Sequence, residues 1–191
     1  MKNVLVIFAN PNKKSFGTSL GKSFIKGLKK NSKENNVKEL YLSDLKFDLN
    51  EKKQFQEQIL EDDILKAQEL ILWANHIVFC YPIWWYNFPA VLKGFFDRTF
   101  QSGFAFKFDD KPFPVKLLKG RTAQAIVTMD APPIFYRLVI GINDKRILRQ
   151  MLNFCGVKML SHNYFGSIKK SDEKKKIKWL DKAYKLGLNY R

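Results

Sequence analysis

Three short stretches of this chain carry residue types that could hold and work on a ligand. Residues 10–18 read NPNKKSFGT and supply amide, hydroxyl and ammonium donors beside one glycine. Placed at the start of a helix, such donors form a ready anion site, because the first backbone N–H groups have no intrahelical acceptor. Ser15 capping that helix beside a solvated Lys13–Lys14 pair is the plainer reading of the same residues. No GxxxxGK[ST] or GxGxxG occurs, so this is neither a P-loop nor a Rossmann dinucleotide turn. Residues 81–89 (YPIWWYNFP) place four aromatics within six positions. An exposed wall of that kind is costly unless something flat covers it. Residues 128–133 (TMDAPP) form a stiff polar lip, leaving the N–H groups of Met129, Asp130 and Ala131 as donors; Tyr136 follows with a phenol able to move a proton. A phosphate site, an aromatic wall and a polar lip together suit a phosphorylated, flat cofactor.

Those stretches can cooperate only if the fold brings them together. Residues 4–9 and 76–81 are continuous apolar runs, the pattern of strands buried on both faces. Residues 122–129 and 157–165 read as two further strands, and 37–42 as a weaker one near a sheet edge. Helices are expected between them. Phe16, Leu20, Phe24 and Leu28 recur four apart, and residues 51–74 read as helical in one or two pieces. Residues 89–100 begin with proline at a favoured first helical position, 144–155 end at Gly156, and 171–186 close the chain. Alternating strands and helices predict an α/β fold: a flavodoxin-like three-layer sandwich around a five-stranded parallel sheet of order 2-1-3-4-5, forming one domain over residues 1–191. In such a sheet ligands bind beyond the carboxyl ends of the strands, at the switch in strand order, which is where all three stretches fall.

Composition narrows the alternatives. Of 191 residues, 46% are hydrophobic, which excludes intrinsic disorder, and two cysteines exclude a disulfide scaffold. The formal charge of +16 invites a nucleic-acid or acidic-lipid reading. However, only six of the 34 cations are arginine, and the lysines are dispersed, so a solvated surface is the better account. Cys80 and Cys155 sit in apolar runs and read as core; His76 and His162 lack partners at metal spacing, so no metal site is expected. Asp62–Asp63 reads as a solvated helix face, and Asp97–Arg98 as a local surface pair. The apolar start is too short for a secretory leader, and no stretch reaches the ~18–20 apolar residues of a membrane span, so a cytoplasmic location is expected.

The run from Tyr81 to Phe100 (YPIWWYNFPAVLKGFFDRTF), with the following GFAF at 103–106, closely resembles the central signature of NAD(P)H:quinone oxidoreductases. That family includes mammalian quinone reductases and bacterial reductases ancillary to potassium efflux systems. The likeness extends to Ser15–Phe16, to the LKGR at 118–121 and to the NFCG at 153–156. It implies bound FMN or FAD, with FMN favoured, NAD(P)H as co-substrate, a quinone-like acceptor, and a homodimer with sites at the interface. By the same resemblance Asn10, Ser15, Phe16, Gly17 and Thr18 hold the phosphate. Pro82, Ile83, Trp84, Trp85 and Tyr86 lie along the isoalloxazine, and Thr128, Met129, Asp130 and Ala131 face its pyrimidine side. Tyr136 handles a proton, and Phe106 and Phe108, with Trp84, wall the substrate pocket from the partner subunit; the many Phe around them also read as a partner surface. Asn10 and Asp130–Ala131 depart from the family's usual His and Gly-Gly, and the His that often follows the Tyr is absent from residues 141–144 (GIND). The implied activity is ping-pong transfer of two electrons. A flavin-bound regulatory subunit with a membrane-transporter partner is the alternative, and a basic nucleic-acid-binding module the weakest reading.

Overall fold

The computed structural model describes residues 2–32, 34–50, 59–109 and 113–190. Strands β1 (Asn3–Phe8), β2 (Asn36–Tyr41), β3 (His76–Pro82), β6 (Thr122–Thr128) and β7 (Lys158–Phe165) form one sheet. Its order is β2-β1-β3-β6-β7, every pairing is parallel, and counting only these strands it is 2-1-3-4-5. Central β3 is buried at every position, as a strand covered on both faces requires. Edge β2 alternates exposed and half-buried residues over Asn36–Glu39 and buries Leu40.

Helices α1 (Phe16–Asn31) and α6 (Glu173–Leu188) cover one face, over Val4, Val6, Phe8, Val78 and Ile126. The opposite face carries α2 (Asp62–Trp73), α3 (Ala90–Thr99) and α5 (Asn143–Cys155), over Leu5, Ile7, Ile77, Phe79 and Val127. Helices α1 and α6 approach until their backbones touch. A Cβ on Gly27 would stand 1.9 Å from the Tyr184 carbonyl oxygen, and one on Gly187 would stand 2.0 Å from that of Phe24. Only glycine permits that distance.

Several expected elements differ in detail. The helix expected over 51–74 is seen as α2, and residues 51–58 lie outside the described residues. Pro89 is the residue before α3, in extended backbone, rather than its first helical residue. The aromatic connection after α3 contains a small antiparallel pair, β4 (Phe106–Lys107) with β5 (Val115–Lys116). A short turn of helix, α4 (Pro133–Phe135), runs into a π-turn at Tyr136–Ile140. Arg98 is not a surface charge: it is fully buried and pairs with Glu61 at 2.6 Å, while Asp97 pairs with Lys93. Asp63 accepts the Lys46 N–H at 2.9 Å, and that bond is the main cause holding its carboxyl below the usual range.

Candidate functional site

The carboxyl ends of β1, β3 and β6 converge on a cavity of about 160 Å³. Ten of the residues singled out from sequence line it: Asn10, Ser15, Phe16, Gly17, Pro82, Ile83, Trp84, Thr128, Met129 and Asp130. The register explains the convergence, since Pro82 pairs with Thr128 and the Ala9 N–H donates to the Cys80 carbonyl at 2.9 Å. A larger cavity, about 590 Å³, lies under the end of α6 between Gln124, Leu160 and Tyr190. It includes none of the three loops, so convergence of polar groups, and not size, marks the site.

On the first loop the chain is folded by its own amides. Asn10 Oδ1 accepts the Asn12 N–H and Asn12 Oδ1 the Lys14 N–H, both at 2.9 Å. Ser15 then caps α1, accepting the Thr18 N–H at 3.2 Å and meeting the Thr18 hydroxyl at 3.0 Å. The first turn holds no acidic residue, and Phe16 and Gly17 lie at its opening. Thr18 sits one position deeper, buried behind Ser15 and off the cavity lining. Lys13 is drawn aside by Asp44 at 2.6 Å.

The aromatic loop is a two-residue turn. Trp84 and Asn87 exchange backbone bonds, with the Trp84 N–H at 2.8 Å from the Asn87 carbonyl and the reverse pair at 3.0 Å. Between them Trp85 and Tyr86 both have positive φ, +48° and +63°. Type I′ turns have that signature and ordinarily use Asn-Gly there. A bulky residue in the left-handed region costs roughly 1–2 kcal/mol. The turn therefore holds two strained aromatics, and Trp85 is 94% exposed. Trp85 and Tyr86 stand at the rim and do not line the cavity.

The third loop is zipped to residues that sequence reasoning did not single out. The Met129 N–H, expected to be free, donates to the Phe165 carbonyl at 2.9 Å. The Met129 and Ala131 carbonyls accept the N–H groups of Ile168 and Ser167, at 3.3 and 3.2 Å. Asp130 turns toward Lys169 at 2.8 Å, and Ile168 joins the cavity lining. A Cβ on Gly166 would stand 2.5 Å from the Ala131 carbonyl oxygen. This fourth contributor leaves the carboxyl end of β7, so the rule that located the other loops could have located it too.

Tyr136 is 2% exposed. Its hydroxyl lies 3.0 Å from the Tyr86 carbonyl and 2.9 Å from Asp144 Oδ1. Burial, and then the charge of Asp144, raises its pKa well above the ordinary phenol value. Asp144 was not singled out from sequence. It is fully buried and also receives the hydroxyls of Tyr81, at 2.8 Å, and Tyr164, at 3.0 and 3.1 Å. Phe106 and Phe108 are not brought to the loop cavity. They pack edge-on at 5.6 Å, and Phe106 with Phe154 lines a separate cavity of about 370 Å³, beside an exposed Phe108. Cys80 and Cys155 are buried, and no group of three or more His, Cys, Asp or Glu able to hold a metal occurs among the described residues.

This sheet order and a site at its switch point define a flavodoxin-like protein, and residues 2–185 match the family model described as "Flavodoxin-like fold". A Haemophilus influenzae protein named "Uncharacterized NAD(P)H oxidoreductase" is 30% identical, covering 90% of this chain and 87% of its own. The mouse "Ribosyldihydronicotinamide dehydrogenase [quinone]" is 27% identical over 97% of this chain and 90% of its own. Among solved structures, a Bacillus anthracis FMN-dependent NADH-azoreductase in complex with FMN superposes with a TM-score of 0.74. It covers 98% of this chain and 96% of its own at 23% identity, a likeness of fold alone. The chain belongs to the flavodoxin-like oxidoreductases and, within them, to the NAD(P)H:quinone oxidoreductase family.

Proposed function

We propose that this protein is a flavin-dependent oxidoreductase that takes two electrons from NAD(P)H and passes them, by ping-pong, to a quinone or similar acceptor. The observation that carries the reading is the joint lining of one cavity by the α1 N-terminus, the aromatic turn and the 128–130 lip. The donor set suits a flat, phosphorylated group. Ser15 and the opening of α1 at Phe16 and Gly17 offer hydroxyl and N–H donors to a phosphate. Trp84 and Ile83 offer an apolar wall to a ring system, with Asp130 at its polar edge. A bound flavin would supply the hydride chemistry, and the protein would bind and orient the rings. In this reading FMN is favoured, because the lining provides one phosphate cradle beside a ring wall.

The cavity is smaller than the ~300–1,000 Å³ typical of ligand pockets, so a bound ring system would extend past its rim. That shortfall, with exposed Phe108 and Phe113, supports a homodimer in which a second copy closes the site. Tyr136 faces the Tyr86 carbonyl, and its raised pKa keeps the phenol protonated at neutral pH. Its assigned part here is to donate a hydrogen bond that steadies the turn.

Titrating the purified chain with FMN and with FAD, then adding NADH or NADPH anaerobically, tests the reading. Flavin fluorescence should be quenched on binding, and the visible flavin band should bleach with nicotinamide and return with menadione. A chain that binds neither flavin is not this enzyme. Light scattering should give a dimer, and Phe108→Asp should shift it toward monomer.

A further inference from the structure

The aromatic turn needs something to hold it, since its own two backbone bonds must keep two side-chain-bearing residues at positive φ. One further anchor is the Ile83 N–H on the Thr128 carbonyl at 2.8 Å. The other is the Tyr136 hydroxyl on the Tyr86 carbonyl, and it leads directly to Asp144. We propose that Asp144 is the positioning residue of the aromatic turn: a buried carboxylate that gathers Tyr81, Tyr136 and Tyr164 and, through Tyr136, fixes the Tyr86 carbonyl.

Three features support this. First, the carboxylate has no cation within ion-pair distance among the described residues, so three hydroxyls do the work of a counter-charge. A fully buried carboxylate kept on those terms ties together β3, the π-turn, α5 and β7, and His162 of β7 feels its charge. Second, the chain bends sharply to deliver it. Gly141 and Ile142 both have positive φ, +90° and +48°, immediately before α5, and this brings Asp144 into the first helical turn. Left-handed backbone is unusual for a β-branched residue. Third, the Tyr136 hydroxyl stands between the carboxylate and the turn, 2.9 Å from Asp144 Oδ1 and 3.0 Å from the Tyr86 carbonyl, while the Tyr81 and Tyr164 hydroxyls meet the same carboxylate. Asp144 thereby sets where the Tyr136 hydroxyl stands against the turn.

The consequence for flavin binding rests on the reading above, but the coupling itself can be measured without flavin. Backbone hydrogen exchange at Trp84 and Asn87, whose N–H groups close the turn, is the primary readout in the apo-protein, for Tyr136→Phe, Asp144→Asn and the double variant. Each single change should speed exchange in the turn about tenfold, the scale of one lost hydrogen bond, with β1 and α1 amides unchanged. The double variant should be no faster than the quicker single one, because both remove the same link. Tyr81→Phe takes a hydroxyl from the same carboxylate without touching the turn and should leave turn exchange within about twofold. Unchanged turn exchange in Tyr136→Phe, effects that multiply, or a uniform rise across the chain would each overturn the proposal. Should Asp144→Asn fail to fold, Tyr136→Phe, which keeps the ring, with Tyr81→Phe as control, still decides it. FMN affinity should fall about tenfold in the same two single variants. If the wild type binds no flavin while the turn responds as stated, the functional reading fails and the positioning role stands.

Discussion

Replacing Trp85 by asparagine should make the protein more stable. Trp85 has φ +48° in a turn whose geometry favours Asn, and its side chain is 94% exposed, so it has almost no packing to lose. Left-handed backbone costs an ordinary residue roughly 1–2 kcal/mol, whereas Asn adopts it readily. The net gain is therefore about 1 kcal/mol. A protein of this size should unfold in urea with a slope of about 2–3 kcal/mol per molar, so the midpoint should rise by about 0.3–0.5 M at unchanged slope. Trp85→Phe keeps the strain and should not move it. A midpoint that stays put or falls in Trp85→Asn, with the slope unchanged, would refute the claim that the turn is strained. If the flavin reading is right, the stabilised variant should also bind FMN less tightly, as expected where local strain serves a site.

Other outcomes follow from the same structure. Gly187→Ala forces a methyl group to within 2.0 Å of the Phe24 carbonyl oxygen, and overpacking of this kind should cost about 1–3 kcal/mol, read as a lower urea midpoint. Cys80 and Cys155 are both buried, and burial pushes the Cys155 thiol up to about 11. A thiol reagent at pH 8 should accordingly label neither in the native state and both in urea. Burial lowers the pKa of His76 to about 3 and of His162 to about 4, from 6.5. Below pH 6.5 the unfolded chain therefore binds protons that the folded one refuses, so stability falls as pH drops from 6.5 toward 4. The slope should approach ~1.4 kcal/mol per pH unit for each histidine, and His162→Gln should flatten it in midpoints measured across that range.

Much of the fold could be read directly because parallel strands buried on both faces need no alternation. The runs at 4–9 and 76–81 announced β1 and β3, and the switch rule then pointed at loops that do share a cavity. What stayed hidden depends on contacts distant in sequence. Asp144 looked like one more charge at a helix start; its burial arises from hydroxyls on Tyr81 and Tyr164, brought to it by β3 and β7. The loop at 166–169 closes the lip through backbone bonds, which leave no side-chain signature beyond Gly166. The strain at Trp85–Tyr86 was hidden for another reason: the residues contradict their own backbone, and local rules cannot foresee that where a site imposes it.

The contact of Gly27 with Tyr184 and of Gly187 with Phe24 also makes the covering of α1 wait on synthesis. Helix α1 is complete by Asn31, but the helix that covers it ends at Leu188, roughly 160 residues later. At ~5–20 residues per second the ribosome needs roughly 10–30 s to close that gap. Throughout it the apolar side of α1 and of Val4, Val6 and Phe8 lacks its final cover. A nascent chain of this protein is thus exposed to aggregation until α6 emerges, and a stop codon before α6 would leave that surface permanently open.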